Sequence, residues 1–517
     1  MEKSRTKNTI RNVRTGFIVQ LINKLMAFVV RTVFIKILNT EYLGVNGLFT
    51  NILTMISFAE LGIGTAIIFN MYKPVADDDK EKIKSLMKLY QKSYNTIGCI
   101  VFVLGLCVIP FFDLIIKDVP NIKENIYLIY FLFLINTSSS YFFTYKKSII
   151  SAYQQESIIN KIDSVFYLGK SIFEILFLYL TKNYIVYLVI QISGTILENI
   201  IIAHRANKMF PFLKEKNVKK LPKEESQNIF SNVKSLIIYK FGAAIMDGTD
   251  NILISSLVNV ATVGLCSNYT LIITSIKGLV LSAMNGVTAS IGNLNAVASK
   301  ERKENIFYQL TLISYFVYSF CAIAFIVLLN PFIEIWLGVD YVLNIGVPIA
   351  LAVSFFVCGM RTPAYTYRVT LGLFEKGKIT PYIGAITNIL LSIILCKICG
   401  VAGIFIATSI AQLVSYSWID PYLIHKYAFE TSLKKYFKKL IIYFMAFAIN
   451  TFICLQVSNK INLNGLFDFI VSCIIVVFSN VINLIIFYKC EEFKSLEERF
   501  ITPIFDKIKN KIKKESN

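Results

Sequence analysis

The second third of this chain repeats its first third at nearly constant spacing, inside an almost continuous series of apolar segments. At a shift of about 220 positions, Asn12-Val13-Arg14 falls on Asn232-Val233-Lys234, Leu43-Gly44-Val45 on Val263-Gly264-Leu265, and Lys80-Glu81-Lys82 on Lys300-Glu301-Arg302. Farther along, the offset drifts slightly. Pro110-Phe111-Phe112-Asp113 matches Pro331-Phe332-Ile333-Glu334, Thr144-Tyr145-Lys146 matches Thr366-Tyr367-Arg368, and His204-Arg205 matches His425-Lys426, which are the only histidines of the chain. Ordered matches of this kind are the signature of duplicated halves, an arrangement that membrane transporters build around a central substrate path.

The setting of the repeat is lipid. The chain is 55% hydrophobic with a mean hydropathy of +0.60, against about 45 to 50% apolar residues in soluble proteins. About fourteen stretches are long enough to cross a bilayer at roughly 20 residues each. Six precede a basic loop at Lys214 to Lys223: Val13 to Leu38, Tyr42 to Tyr72, Leu86 to Phe112, Ile126 to Tyr145, Ile158 to Leu180 and Tyr184 to Ala203. Six more follow it: Ile229 to Leu257, Thr262 to Ile291, Ile306 to Leu337, Leu343 to Leu371, Ile379 to Cys396 and Val401 to Ile424. Phe437 to Val457 and Leu466 to Tyr488 complete the set. No run alternates every second residue as a barrel strand must, so the expected fold is an all-α polytopic membrane protein. It divides into a six-helix lobe over residues 1–220, its repeat over 221–430, two appended helices over 431–490 and a basic tail over 491–517. Six helices per half preserve orientation, so the lobes are expected to be related by a pseudo-two-fold axis along the membrane normal.

A formal net charge of +20 would suit a nucleic-acid partner, but the placement of the bases excludes that reading. Roughly forty of them lie in the amino terminus, the even-numbered loops and the carboxyl terminus, against about five in the odd loops. The positive-inside rule then puts both termini in the cytoplasm, and the basic amino terminus belongs to a retained first helix that lacks an Ala-x-Ala-like cleavage site. The tail from Lys489 to Asn517 alternates bases with Ile and Phe, and reads either as an amphipathic helix on anionic lipid or as a solvated tail. Cys396 and Cys399 form the one Cys-x-x-Cys pair, with no second pair or histidine near it in sequence, so neither a metal nor another cofactor is indicated. His204 and His425 read as interfacial side chains at cytoplasmic helix ends.

Charges inside the spans are the candidate functional residues, because each costs about 3 kcal/mol at the bilayer centre unless it faces protein or water. Gln20, Lys24 and Arg31 share one face of the first span, Ser354, Arg361 and Arg368 one face of the tenth, and Lys240, Asp247 and Asn251 one face of the seventh, with Asp250 beside it. Together with Lys277, the bases Lys24, Arg31, Lys240, Arg361 and Arg368 are expected to line a cationic cavity that binds substrate. Lys36 and Arg368 lie near helix ends, where snorkelling to the headgroups competes with that role. On the fifth span Asp163, Lys170 and Glu174 share a face, and Lys170 with Glu174 has the spacing of an internal ion pair. Glu60, Asp247 and Asp250 either bind a coupling cation or proton or neutralise neighbouring bases.

Asn46, Asn51, Thr54, Ser57 and Glu60 make the second span polar, and Asn268, Thr270, Thr274, Asn285 and Thr288 do the same for the eighth, its repeat partner. Singly such residues are interhelical glue; jointly they favour a path for a hydroxyl-rich sugar. No Walker A, His-Glu-x-x-His or Gly-x-Ser-x-Gly sequence occurs and the outer loops are short, which argues against an enzyme.

Glu41-Tyr42-Leu43-Gly44, Gly47-Leu48-Phe49, Ala59-Glu60-Leu61-Gly62-Ile63-Gly64 and Tyr72-Lys73-Pro74 resemble the first two helices of bacterial polysaccharide flippases of the Wzx type. These form the polysaccharide transporter family of the multidrug/oligosaccharidyl-lipid/polysaccharide (MOP) superfamily, which includes the MATE exporters. Tyr145-Lys146-Lys147 to Gln155, and Tyr367-Arg368 to Lys378, are similar to that family too, so the resemblance spans roughly the first 430 residues. It implies two six-helix bundles around a central cavity, alternating access, and a bacterial plasma-membrane location. It also implies a substrate in which a polyprenyl lipid carries an oligosaccharide through a diphosphate, moved to the outer leaflet for cell-surface polysaccharide biosynthesis. Membrane lipids and polysaccharide assembly proteins are the partners it implies. The alternative within the superfamily is a cation-coupled drug or metabolite exporter, whose cavity should present unpaired acids rather than bases.

Overall fold

The computed structural model describes residues 2–57, 63–153, 155–215, 218–219, 221–227, 229, 242–246, 248–373, 375–458, 460 and 465–498. Among the described residues the chain is helical and contains no strand. It divides into two compact units, Met1–Ser267 and Asn268–Asn517.

The first unit holds α1 (Glu2–Ile37), α2 (Thr40–Ile56), α3 (Ile63–Ala76), α4 (Lys80–Val108), α5 (Phe112–Ile115), α6 (Ile126–Thr144), α7 (Lys147–Ala152), α8 (Glu156–Thr181), α9 (Tyr184–Met209), α10 (Asp250–Leu257) and the start of α11 (Val260–Val297). Short polar caps set where these helices begin. The side chains of Asn39, Asn125 and Asn183 each accept two backbone N–H bonds from the first turn of α2, α6 and α9, and Asp79 accepts one from Lys82 at the start of α4. Each satisfies donors that lipid could not. α1 packs along α8, α8 along α9, and α6 against both α4 and α9. A buried cluster that includes Met71, Leu86, Tyr90, Tyr94, Tyr141 and Ile150 fills the space between α3, α4, α6 and α7.

In the second unit the remainder of α11 joins α12 (Lys300–Leu337), α13 (Gly346–Met360), α14 (Thr362–Thr370), α15 (Thr380–Cys399), α16 (Val401–Val414), α17 (Tyr416–Ile424), α18 (Lys434–Ser458), α19 (Leu466–Phe487) and α20 (Glu491–Leu496). α12 packs on α13 and α19, α15 on α16, and α18 on α19. Gly400, at a φ of 60°, makes the turn between α15 and α16. Large apolar side chains point outward, with Phe452 63%, Phe467 73% and Ile485 64% exposed. That is the surface lipid solvates and water does not.

Eleven helices among the described residues are long and apolar enough to cross a membrane. They correspond to the expected third to sixth and eighth to fourteenth spans, so the count of fourteen is not reached. The first span is a continuous 36-residue helix, α1, diluted by the bases of its early turns. Of the second, α2 and α3 are described, each shorter than a bilayer crossing, and residues 58–62 between them lie outside the described residues. Much of the seventh lies at residues 230–241, outside the described residues. The division into units falls in the chain between Ser267 and Asn268, within α11, and α10 packs against α2 and α5 of the first unit.

The repeat leaves a physical mark within the first unit. A Cβ built on Gly44 of α2 would overlap the carbonyl oxygen of Val260, and one built on Gly264 of α11 would overlap that of Thr40. Gly44 and Gly264 are partners under the sequence shift, and so are Thr40 and Val260. Contact of i with j together with j with i is what a local two-fold relation imposes. Small residues are needed there because the two backbones touch. Gly44→Leu should therefore destabilise the protein by about 1–3 kcal/mol through overpacking, read as a lowered Tm in detergent. Gly278→Ala is the control, since a Cβ there meets nothing within 4 Å; equal Tm values for the two variants would contradict the close contact.

Candidate functional site

Arg31 sits in the last two turns of α1, where Phe34 packs edge-on against the rings of Tyr184 and Tyr187 at 5.7 and 5.3 Å. Its half-buried guanidinium donates from Nη1 to the Ser267 hydroxyl at 2.8 Å, and that hydroxyl donates to the Gly264 carbonyl at 2.7 Å. The glycine contact between α2 and α11 thus sets the position of the side chain that receives Arg31. Lys24, two turns earlier on the same face and about 10 Å away along the axis, is half-buried with no ion-pair or hydrogen-bond partner among the described residues. Leu21, Leu25 and Val29 of α1 are exposed along an adjoining stripe of the helix.

In the second unit the expected tenth span is broken into α13 and α14 at Arg361, just before Pro363, which occupies the first turn of α14. Arg361 is half-buried, with its guanidinium 4.0 Å from the centre of the Tyr416 ring on α17. This is a cation–π seat that holds the plane of the group and leaves its N–H edge directed elsewhere. Two turns on, Arg368 is fully buried and its Nη1 donates to Oδ1 of the equally buried Asp420 at 2.6 Å. Neither sequence expectation for Arg368 holds. It does not reach out to headgroups, and it does not line open space, because Asp420, one turn beyond Tyr416 on α17, neutralises it inside the packing. Gly377 lies against the same guanidinium, so closely that a Cβ there would sit 2.7 Å from Nη1.

Lys277 on α11 is half-buried without a partner among the described residues, and Asp250 is half-buried at the first position of α10. Lys240, Asp247 and Glu60 lie outside the described residues. On α8, Lys170 lays its stem across Gly194 instead of closing an ion pair with Glu174, whose buried Oε1 has no hydrogen-bond partner among the described residues. Asp163 is instead bound by Lys147, which also reaches Glu198, at 3.3 and 3.2 Å. Of the histidines His204 is exposed, whereas His425 is buried among Phe307, Tyr308, Phe429 and Tyr436, with Nδ1 2.8 Å from the Pro421 carbonyl oxygen. It is a core residue and not an interfacial one.

The polar stripe of the second span divides by role. Asn46 donates to Tyr184 and Asn51 to the Gly248 carbonyl, joining helices, while Thr54 and Ser57 bond back to their own helix. On α11 Thr274 likewise bonds back to its helix, but Asn268 is fully buried with neither amide atom hydrogen-bonded among the described residues. Sequence reasoning missed Ser267, Tyr416 and Asp420, the groups that position the arginines. An acid inside the expected twelfth span was the available signal for Asp420.

Each unit carries half-buried cations on its helices, including one guanidinium each, Arg31 on α1 and Arg361 between α13 and α14. That chemistry attracts phosphate oxygens and disfavours a cationic ligand.

The fold recurs in solved transporters. The lipid II flippase MurJ in an inward closed conformation superimposes with a TM-score of 0.66 at 16% identity, over 92% of this chain and 99% of that one. An inward-facing multidrug resistance MATE transporter of the MOP superfamily gives 0.59 at 15% identity, over 78% and 97%. The Vibrio cholerae MATE transporter VcmN, as an Asp-to-Asn variant, gives 0.56 at 13% identity, over 83% and 100%. At such identities the likeness is one of fold, and it is the MOP fold of flippases and exporters. Comparison of the sequence with curated proteins finds no match. The family model described as polysaccharide biosynthesis protein matches residues 9–291, more than half of the chain, and the protein belongs to that family.

Proposed function

We propose that this protein is an alternating-access flippase that moves a polyprenyl-diphosphate-linked oligosaccharide from the inner to the outer leaflet of the bacterial plasma membrane, with both termini in the cytoplasm. The observation that carries the reading is the seat of Arg31: a half-buried guanidinium on α1, fixed by Ser267 and with no carboxylate partner among the described residues. Lys24 of the same unit is partnerless among the described residues, and within the second unit Lys277, likewise partnerless among them, and Arg361 on Tyr416 carry the same sign of charge. A diphosphate crossing a bilayer needs cations, its glycan needs hydroxyl partners, and its lipid stays in the hydrocarbon. Membership of a polysaccharide biosynthesis family and a fold shared with a lipid II flippase support the reading. Polysaccharide assembly proteins would then supply the glycan and consume it.

The exporter reading draws on the shared MATE fold. It predicts a preference for cationic ligands, and the acid best placed in the second unit, Asp420, is already occupied by Arg368. Binding to the purified protein separates the two. A polyprenyl-diphosphate oligosaccharide should bind at least about tenfold more tightly than its monophosphate counterpart, since charge-assisted bonds contribute about 1.5–3 kcal/mol each, and a lipophilic cation should not compete. Competition by the cation, with no preference for the diphosphate, would overturn the proposal.

A further inference from the structure

Away from Arg31, the first unit encloses a second basic site. A cavity of about 290 Å³ lies where the start of α4, the end of α6 and the segment after α9 meet, lined by Lys84, Lys88, Gln91, Tyr145, Lys146 and Glu215 among others. We propose that this cavity binds the phosphate of an anionic ligand, with Lys146 and Lys88 as its principal contacts and Glu215 as the carboxylate it displaces.

The lysines differ in how their charge is met. Lys84 is buried and doubly satisfied, by Glu81 and by Glu215 at 2.6 Å. Lys88, one turn on, is exposed and has no partner among the described residues. Among the described residues Lys146 has only a neutral partner at hydrogen-bond distance, the side-chain oxygen Oδ1 of Asn207 at 2.7 Å, and the ring of Tyr145 beside it. Burial lowers its ammonium below the usual lysine range, and the neighbouring charge of Lys214 lowers it further. An ammonium so placed lacks a counter-charge, which a phosphate would provide together with several acceptor oxygens. The wall that carries Glu215 is tied down independently, since Ser85 donates to the Lys219 carbonyl at 2.6 Å and Lys82 pairs with Glu225 at 2.5 Å. Losing the Glu215 contact would therefore leave the cavity in place. Neither the family nor the fold comparisons assign this site, and it stands whether or not the transport reading does.

The test follows acylation of lysines by an amine-reactive reagent, mapped by mass spectrometry, on the full chain in phosphatidylcholine nanodiscs. Lys146 should react fast for a lysine, because its depressed pKa leaves more free amine. Inorganic pyrophosphate should slow Lys146 and Lys88 about tenfold while sparing Lys397, if a soluble phosphate is the ligand; slowing by added phosphatidylglycerol instead would identify a lipid headgroup. Lys88→Ala should weaken the protection of Lys146 by whichever probe acts about tenfold, and Glu215→Gln, which removes the competing carboxylate, should strengthen it. No slowing by either probe, or unchanged protection of Lys146 in both Lys88→Ala and Glu215→Gln, would overturn the proposal.

Discussion

Replacing Arg31 or Arg361 by Ala should remove most of the flipping of a polyprenyl-diphosphate oligosaccharide in reconstituted vesicles and leave the protein folded. Each guanidinium offers charge-assisted bonds of about 1.5–3 kcal/mol, so each loss should slow transport about ten- to a hundredfold, and the double variant should approach background. Lysine at either position should restore activity in part, because it returns the charge without the planar fork that grips two phosphate oxygens. Stability should change less than on loss of a fully buried ion pair, since neither side chain is fully buried. Ser267→Ala discriminates positioning from contact. It removes the group that orients Arg31 and keeps the charge, so it should cost less than Arg31→Ala.

Arg368 and Asp420 should behave in the opposite way. Both are fully buried, so Arg368→Ala or Asp420→Ala alone leaves an uncompensated charge in the packing and should destabilise the protein by about 3–5 kcal/mol, seen as poor recovery and a lowered Tm. Replacing both, as Arg368→Met with Asp420→Leu, removes the charges together and should recover most of that loss. The double variant should also transport. Loss of transport in a double variant of normal stability would mean that the pair acts on substrate after all.

This contrast between two arginines seven residues apart shows how far the sequence was legible. Periodicity put Arg361 and Arg368 on one helical face, but the span is broken at Arg361, just before Pro363. On α17 the Tyr416 ring stacks under Arg361 while Asp420 accepts a hydrogen bond from Arg368. Sequence separation carries no information about such meetings. Lys170 and Glu174 fail for a related reason: their spacing permits an ion pair, but the open surface over Gly194 gives the lysine stem another place to lie. His425 looked interfacial because it falls at an expected cytoplasmic helix end, yet the aromatic rings of α12, α18 and its own turn enclose it. The apolar spans were the most legible part, because about twenty consecutive apolar residues leave few alternatives to a crossing helix. The repeat was readable at Gly44 and Gly264, where two backbones touch and only glycine fits.

The central claim is most directly tested by sidedness. Vesicles carrying the wild-type protein are loaded with a polyprenyl-diphosphate oligosaccharide in one leaflet, and its arrival in the other is followed with an impermeant glycan-cleaving enzyme. The account predicts protein-dependent arrival that is lost in the Arg31→Ala, Arg361→Ala double variant and kept in the paired Arg368→Met, Asp420→Leu variant. No arrival with the wild-type protein, or undiminished arrival with the Arg31→Ala, Arg361→Ala variant, would contradict it.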